Sequence, residues 1–316
     1  MFRVAAARLA LRRLGAPTQQ RGYAAKVDMA ALKKLRQLSE VSISRAKEAL
    51  QHTDGSVEQA LEWLQREALA AGAQKAAKVS GRVAAEGAVA VHSNAANTAA
   101  TIVELGCETD FVARNAAFVD LAARIAQAGG SLLDSAGSDG IGVLDTAAVA
   151  AQAVGGTSAA DAITEAIGRL GENVVLRRAA AAGGPGLVVG TYVHGAVAGS
   201  DGHRAGKIGA LVALRSDGDR AELAPFAQQL AQQVVGFAPR FTRAEWQKAP
   251  AGDESAVLEA QPFLFGGGTV ADALAQHAQR LGTPVDVAGF VRFERGEGVE
   301  KPAQPDFAAE VRQQLK

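Results

Sequence analysis

Two stretches about 100 residues apart carry the same order of elements, and this recurrence limits the fold more than any other feature. Residues 87–92 (GAVAVH) and 98–105 (TAATIVEL) are β-prone runs separated by a turn region at Ser93-Asn94 and Asn97. Residues 187–194 (LVVGTYVH) and 207–215 (KIGALVALR) form a second such pair across a Gly-rich loop. A helix follows each pair. Asn115 caps the first, in which Phe118, Leu121, Ala122 and Ile125 share a face; Phe226, Leu230, Val234 and Phe237 line the second. Val91-His92 and Val193-His194 end comparable strands. The reading is an α+β chain with two related core subdomains, 87–180 and 187–300, each an antiparallel sheet with helices.

The flanks have other textures. Leu32, Leu35 and Leu38 repeat at helical spacing, Ser42 or Ser44 can cap a second helix through Leu50, and Asp54-Gly55 marks a turn. Ser56 with Gln59 is a capping-box pattern opening a third helix that holds Val57, Ala60, Leu61 and Leu64. Residues 28–70 are thus predicted to be a three-helix module, and 71–86, with Lys75, Lys78 and Arg82 among alanines, a linker. Residues 129–156, rich in Gly, Ala and Ser, are expected to be a variable insertion in the first subdomain. A helix near 158–169 leads to a strand-like GENVVLRR at 171–178, and a helix capped by Thr269 precedes a strand at 286–295. The tail, 301–316, is predicted to end in a helix near Phe307–Leu315.

Apolar residues make up 48% of the 316, but nearly half of these are Ala and aromatics are only 5%, so the cores should be thin. A single cysteine, Cys107, excludes an internal disulfide and a Cys-based zinc cluster. No apolar run reaches membrane-spanning length. The 33 basic and 33 acidic side chains cancel, yet their distribution is uneven. The first 27 residues hold no Asp or Glu and carry Arg3, Arg8, Arg12, Arg13, Arg21 and Lys26 among Ala, Leu and Val. That is the pattern of a mitochondrial transit peptide, expected over 1–23, and it places the protein in the mitochondrial matrix; the bland alternative is a basic tail that binds nucleic acid. Cleavage near Tyr23 removes five arginines and leaves 28 basic against 33 acidic groups, a net of −5. Such a balance favours a protein partner over nucleic acid.

Chemistry is sparse. Gly202 to Ile208 (GHRAGKI) is one residue short of a phosphate-binding loop and lacks its hydroxyl; Gly184, Gly186 and Gly190 do not form a dinucleotide fingerprint. His52, His92, His194, His203 and His277 never fall at metal-pair spacing. Cys107 is a conceivable nucleophile with His92 or His194 as base, but it ends an apolar strand, where a lone cysteine usually acts as a small hydrophobe. No catalytic, cofactor-binding or metal-binding residue is assigned. The segment that does stand out is Glu104 to Asn115 (ELGCETDFVARN), joining a strand to a helix with Thr109, Asp110 and Phe111 at the tip. The Asp can serve as a turn cap and the Phe can fold into the core; an exposed Asp-Phe pair would instead make a good intruder into a partner's pocket.

ETDFVARN resembles the signature of the elongation factor Ts family, guanine-nucleotide exchange factors for elongation factor Tu. Five further blocks resemble that family in order: Leu35-Arg36 with Lys47-Glu48-Ala49-Leu50; Gly171-Glu172-Asn173 with Arg177-Arg178; Tyr192 to Gly195; Lys207 to Val212; and Gln261-Pro262-Phe263 with Phe290 to Glu294 and Gly296-Glu297-Gly298. The resemblance implies a ubiquitin-associated-like (UBA-like) N-terminal module and a chain that binds elongation factor Tu·GDP and promotes GDP release without bond chemistry or a bound nucleotide of its own. It implies partner contacts at Thr109, Asp110, Phe111, Val112, Lys47, His194, Leu264 and Phe265, with Phe111 wedging between partner side chains and Asp110 disturbing the magnesium site. Three departures stand out. Ser39-Glu40-Val41-Ser42 replaces the usual Thr-Gly-x-Gly, Gly106 replaces a usual Asn, and the span from Phe241 to Gln261 is too short for the long helical hairpin of bacterial members. The shortening is similar to mitochondrial members, so the partner expected is mitochondrial elongation factor Tu. The rival readings are a ubiquitin-binding adaptor built on residues 28–70 and a Cys107-dependent enzyme.

Overall fold

The computed structural model describes residues 28–39, 41–136, 140–199, 204–248 and 253–300. The transit peptide expected at 1–23, the tail helix expected in 301–316, Glu40 and His203 lie outside the described residues. The chain divides into two compact units, ending and beginning at Glu67 and Ala68.

The first unit contains α1 (Met29–Ser39), α2 (Ile43–His52) and the opening turns of α3 (Val57–Val79). Ser42 caps α2 by accepting the Arg45 amide at 3.3 Å, and Ser56 accepts the Gln59 amide at 3.3 Å at the start of α3. Leu32, Leu35, Ala46, Leu50, Val57, Ala60 and Leu64 form one buried cluster. Leu38 is exposed, contrary to the stripe expected from spacing, because the apolar face of α1 turns away from the cluster in its last turn.

The second unit begins inside helix rather than linker, since residues 71–79 belong to α3 and only the stretch before β1 is irregular. A Cβ on Gly72 would lie 2.4 Å from the Thr164 carbonyl oxygen, so glycine permits a close helix crossing there, and Val79 is buried in the core. Next come β1 (Glu86–Ser93), β2 (Ala99–Cys107), α4 (Asp110–Ala113), α5 (Ala116–Gly129), β3 (Ile141–Leu144), α6 (Thr146–Ala150), β4 (Ala153–Val154), β5 (Thr157–Ser158), α7 (Ala159–Leu170) and β6 (Val175–Gly183). After these follow β7 (Leu187–His194), β8 (Val197–Ala198), β9 (Arg204–Gly206), β10 (Ile208–Arg215), α8 (Arg220–Phe237), α9 (Val270–Leu281) and β11 (Asp286–Glu294).

Among the described residues the named strands pair antiparallel throughout, in a six-stranded sheet of order β3-β6-β2-β1-β9-β8, a three-stranded sheet of order β11-β10-β7 and a two-stranded sheet of β4 and β5. Alternate side chains sort into layers. Ala88, Ala90, Val103, Leu105, Ala179 and Ala181 pack with α5 and α7. Val89, Ile102, Ala180 and Ala182 meet Leu187, Val189, Leu211 and Phe293 of the other sheet. On the far side, Ala210, Val212 and Leu214 pack with α8 and α9. The unit is therefore helices, sheet, sheet, helices, and central strands buried on both faces read as continuous apolar runs. The alanine-rich β6 keeps both interfaces thin. At Gly190 a Cβ would sit 2.0 Å from the Ala227 carbonyl oxygen, so only glycine lets α8 lie this close to β7.

The recurrence is real: β1-β2-α5 and β7-β10-α8 have the same order and pairing. The expected division at 187 is nevertheless crossed, because β8 and β9 hydrogen-bond into the first sheet through Val89↔Gly206 and Ala90↔Ala205. The described parts of 129–156 are built into the fold rather than hung from it. β3 extends the large sheet, and Leu144, Val149 and Val154 are core residues. The strand expected from 171 starts at Val175, after Gly171 (φ +82°) caps α7. Phe237 is half exposed, since it ends α8 just before the left-handed Ala238.

Candidate functional site

β2 runs apolar to its end and then stops abruptly at a corner. Glu104 faces the layer between the sheets and is fully buried. It pairs with Arg177 and with Arg178 (2.5 Å) and accepts the Gly296 amide at 2.8 Å, tying the strand end to β6 and to the turn after β11. Arg178 also lies 4.4 Å above the Phe293 ring and bonds the Glu294 carbonyl at 2.9 Å. A buried carboxylate is tolerable only when satisfied this fully.

Cys107 ends the strand inside the core, its thiol donating to the Thr109 carbonyl at 3.2 Å. Burial pushes the thiol up to about 12, helped by the charges of Glu172 and Glu86. A thiol held in its neutral form does not suit a nucleophile.

Beyond it α4 makes a single turn, Asp110–Ala113, with Thr109 as its cap: the Thr109 hydroxyl accepts the Val112 amide at 3.3 Å. Glu172 braces the corner. Its carboxylate accepts the Glu108 amide at 3.1 Å, the Thr109 amide at 3.0 Å and the Thr109 hydroxyl at 2.6 Å. The bracing is returned when the Asn173 amide donates to Glu108 at 2.7 Å. Asn115 then caps α5 through the Ala117 amide at 2.9 Å.

The four corner residues expected to meet a partner divide in two. Thr109 turns its hydroxyl to Glu172, and Val112 packs against the core, so both anchor the turn. Asp110 and Phe111 face outward, Phe111 being 83% exposed. Asp110 forms an ion pair with Arg114 one turn along.

The other expected partner residues occupy separate elements. His194 is exposed at the end of β7, its ring 6.5 Å from that of Tyr192. Leu264 and Phe265 are half exposed in the loop before α9. Phe263 turns inward there, edge-on to Phe226 at 5.9 Å, and Gly266, Gly267 and Gly268 carry positive φ that lets the loop reverse. Buried Gln233 shapes this loop by accepting the Leu264 amide at 2.8 Å and donating to the Pro262 carbonyl at 3.1 Å. Lys47 is exposed on α2 of the first unit. Sequence reasoning missed Glu172 and Gln233 as shaping residues. GEN was visible as a block without its role, and Gln233 is a polar residue beside the apolar face of α8.

Among the described residues no group of three or more His, Cys, Asp or Glu is placed to hold a metal ion, and no helix is long and apolar enough to cross a membrane. The corner is a projection, suited to insertion into another surface rather than to enclosing a small molecule.

Comparison with known proteins identifies the family. A family profile described as "Elongation factor TS" matches residues 108–249, beginning at the corner itself. The chain is 36% identical over 318 aligned positions to "Elongation factor Ts" of Rhizobium leguminosarum, covering 90% of this chain and 97% of that one. It is 37% identical, with the same coverage, to "Elongation factor Ts" of Agrobacterium fabrum. For "Elongation factor Ts" of Rhodopseudomonas palustris the figures are 36% identity, 91% of this chain and 97% of the other. An identity of this level over nearly the full length of both chains leaves one assignment: the chain belongs to the elongation factor Ts family, whose work is in translation elongation.

Proposed function

We propose that this chain is the exchange factor of a mitochondrial elongation factor Tu: it binds the GDP-bound partner and speeds GDP release so that GTP can enter. The observation that carries the proposal is the Phe111 side chain, 83% exposed on a turn braced from behind. An aromatic ring left this far in water on a fixed mount suits an insertion element. The chain supplies no bond chemistry. It must bind the nucleotide-free partner more tightly than the GDP form, and by linkage GDP weakens the chain's own binding by the same factor. Phe111 enters between partner side chains, and Asp110 beside it perturbs the magnesium site, whose near-octahedral geometry tolerates little displacement. His194, the Leu264–Phe265 loop and Lys47 are proposed as further contacts.

The mitochondrial setting is supported by the acid-free, arginine-rich first 27 residues and by the short span from Phe241 to Gln261. The alignment with the Rhizobium relative has 318 positions yet covers 90% of this chain, so part of that relative faces no residue here. Stopped-flow release of fluorescent GDP from purified mitochondrial elongation factor Tu tests the function, and release no faster with the chain than without it refutes the proposal. Residues 1–27 fused to a fluorescent protein should reach mitochondria; cytosolic retention overturns the location.

A further inference from the structure

We infer that Glu172, 61 residues beyond Phe111 in the sequence, is a positioning residue for the Asp110–Phe111 corner. The inference rests on the exchange-factor reading above and deepens it. A helix of one turn has no stability of its own, so the direction of Phe111 depends on what fixes the start of α4. That start is the Thr109 cap. Glu172 fixes it by accepting a hydrogen bond from the Thr109 hydroxyl at 2.6 Å, which leaves a lone pair on the same oxygen for the Val112 amide at 3.3 Å. The other carboxylate oxygen holds the Glu108 and Thr109 amides at 3.1 and 3.0 Å.

The clasp is closed from the other side. Asn173 donates its amide to Glu108 at 2.7 Å, and its buried side chain is tied to the Arg82 carbonyl at 2.8 Å. Arg82 also lies 3.5 Å from Glu108. Among these contacts the Glu172 carboxylate is the one that fixes the Thr109 cap directly, through its hydroxyl and its amide. The β2–β6 pairing of Gly106 with Val175 and the Asn115 cap of α5 hold the flanks without it. Removing the Glu172 carboxylate should leave the sheet intact and make the partner contact bear the ordering of the corner.

Fluorescent-GDP release from elongation factor Tu, driven by the full chain carrying Glu172→Ala, Phe111→Ala or both, tests this. Glu172→Ala should slow release about tenfold, with a melting midpoint close to that of the unaltered chain, and Glu172→Gln should recover most of the rate by keeping one oxygen for the two amides. In the Phe111→Ala background the added effect of Glu172→Ala should fall below about twofold, because the clasp acts through the ring. A full additional effect there, or an unaltered rate for Glu172→Ala alone, overturns the inference. If Phe111→Ala itself leaves release unchanged, the exchange-site reading fails; the clasp is then judged by hydrogen exchange, where Glu172→Ala should deprotect the Val112 and Ala113 amides and retained protection refutes it. Should Glu172→Ala not fold, Glu172→Asp, with its carboxylate withdrawn by one methylene, takes its place with the same expectations.

Discussion

Replacing Phe111 by alanine separates folding from function. In the isolated protein the residue is 83% exposed, so its removal takes little apolar surface out of the core. The expected stability change is within about 0.5 kcal/mol, the usual range for a surface substitution, and alanine's higher helix propensity in α4 works in its favour. The partner complex is different. An aromatic side chain buries about 150–250 Å² when it enters a pocket. At ~25 cal/mol per Å², the 83% of its surface now in water corresponds to a gross ceiling of roughly 3–5 kcal/mol. Ordering and desolvation reduce this, and truncation of a central aromatic anchor typically costs about 2 kcal/mol or more, close to 30-fold. Stopped-flow release of fluorescent GDP from mitochondrial elongation factor Tu, beside a thermal melt of the variant, reads both quantities. An unaltered release rate from a folded variant refutes the wedge. A melting midpoint lowered by many degrees refutes the premise that the ring is free of the core.

Two further perturbations test the frame of the second unit. Glu104→Gln should destabilise the chain by about 3 kcal/mol in urea unfolding, because Arg177 and Arg178 lose the carboxylate that compensates them in a largely buried setting; a loss below about 0.5 kcal/mol would show that the network contributes nothing net. His277 stacks on Phe226 at 3.9 Å, and burial, aided by neighbouring Arg280, holds its imidazole below the usual value, while Glu222 opposes this. The folded state then binds fewer protons than the unfolded chain, so this contribution to stability is complete above the unfolded pKa of about 6.5 and is lost as pH falls through it. The melting midpoint should drop between pH 7.5 and 5.5, and His277→Phe should drop less; equal losses in the two proteins would remove His277 from the account.

What was legible in the sequence follows from which forces are local. Central strands buried on both faces are largely apolar along their length, so GAVAVH, TAATIVEL and KIGALVALR announce themselves without any knowledge of their neighbours. Caps are equally local: Asn115 and Thr269 mark helix starts, and Thr269 with Asp272 completes a capping box. The failures are long-range. β9 is three residues long, and nothing in Arg204–Gly206 says that it will pair with β1 rather than with its own subdomain. Which of the four expected contact residues anchor the turn and which face water is likewise not a local matter. The division between them depends on Glu172, which approaches from a loop more than sixty residues away. The same distance hid the partners of Glu104, whose burial looks improbable in sequence until Arg177 and Arg178 arrive from the adjacent strand.

A factor that binds two states of its partner equally changes neither population, so the useful part of its binding energy must come from contacts made in one state only. A mobile projection meets this requirement poorly, because it can follow the partner into either state and loses ordering entropy in both. In this chain the order is supplied in advance by a graded series of anchors within one short segment. Glu104 locks the end of β2 to both neighbouring elements from a fully buried position, Cys107 fills the last core site, and Thr109 is clasped at half depth. Only then does Phe111 emerge into water. Because the anchors lie at different depths, they should fail differently. Loss of the Glu104 charge should weaken the whole second unit and lower exchange only through unfolding, whereas loss of the Glu172 carboxylate should leave the fold and blunt exchange. Two variants with equal exchange defects but unequal melting midpoints would therefore locate the function in the rigidity of the corner rather than in the stability of the sheets.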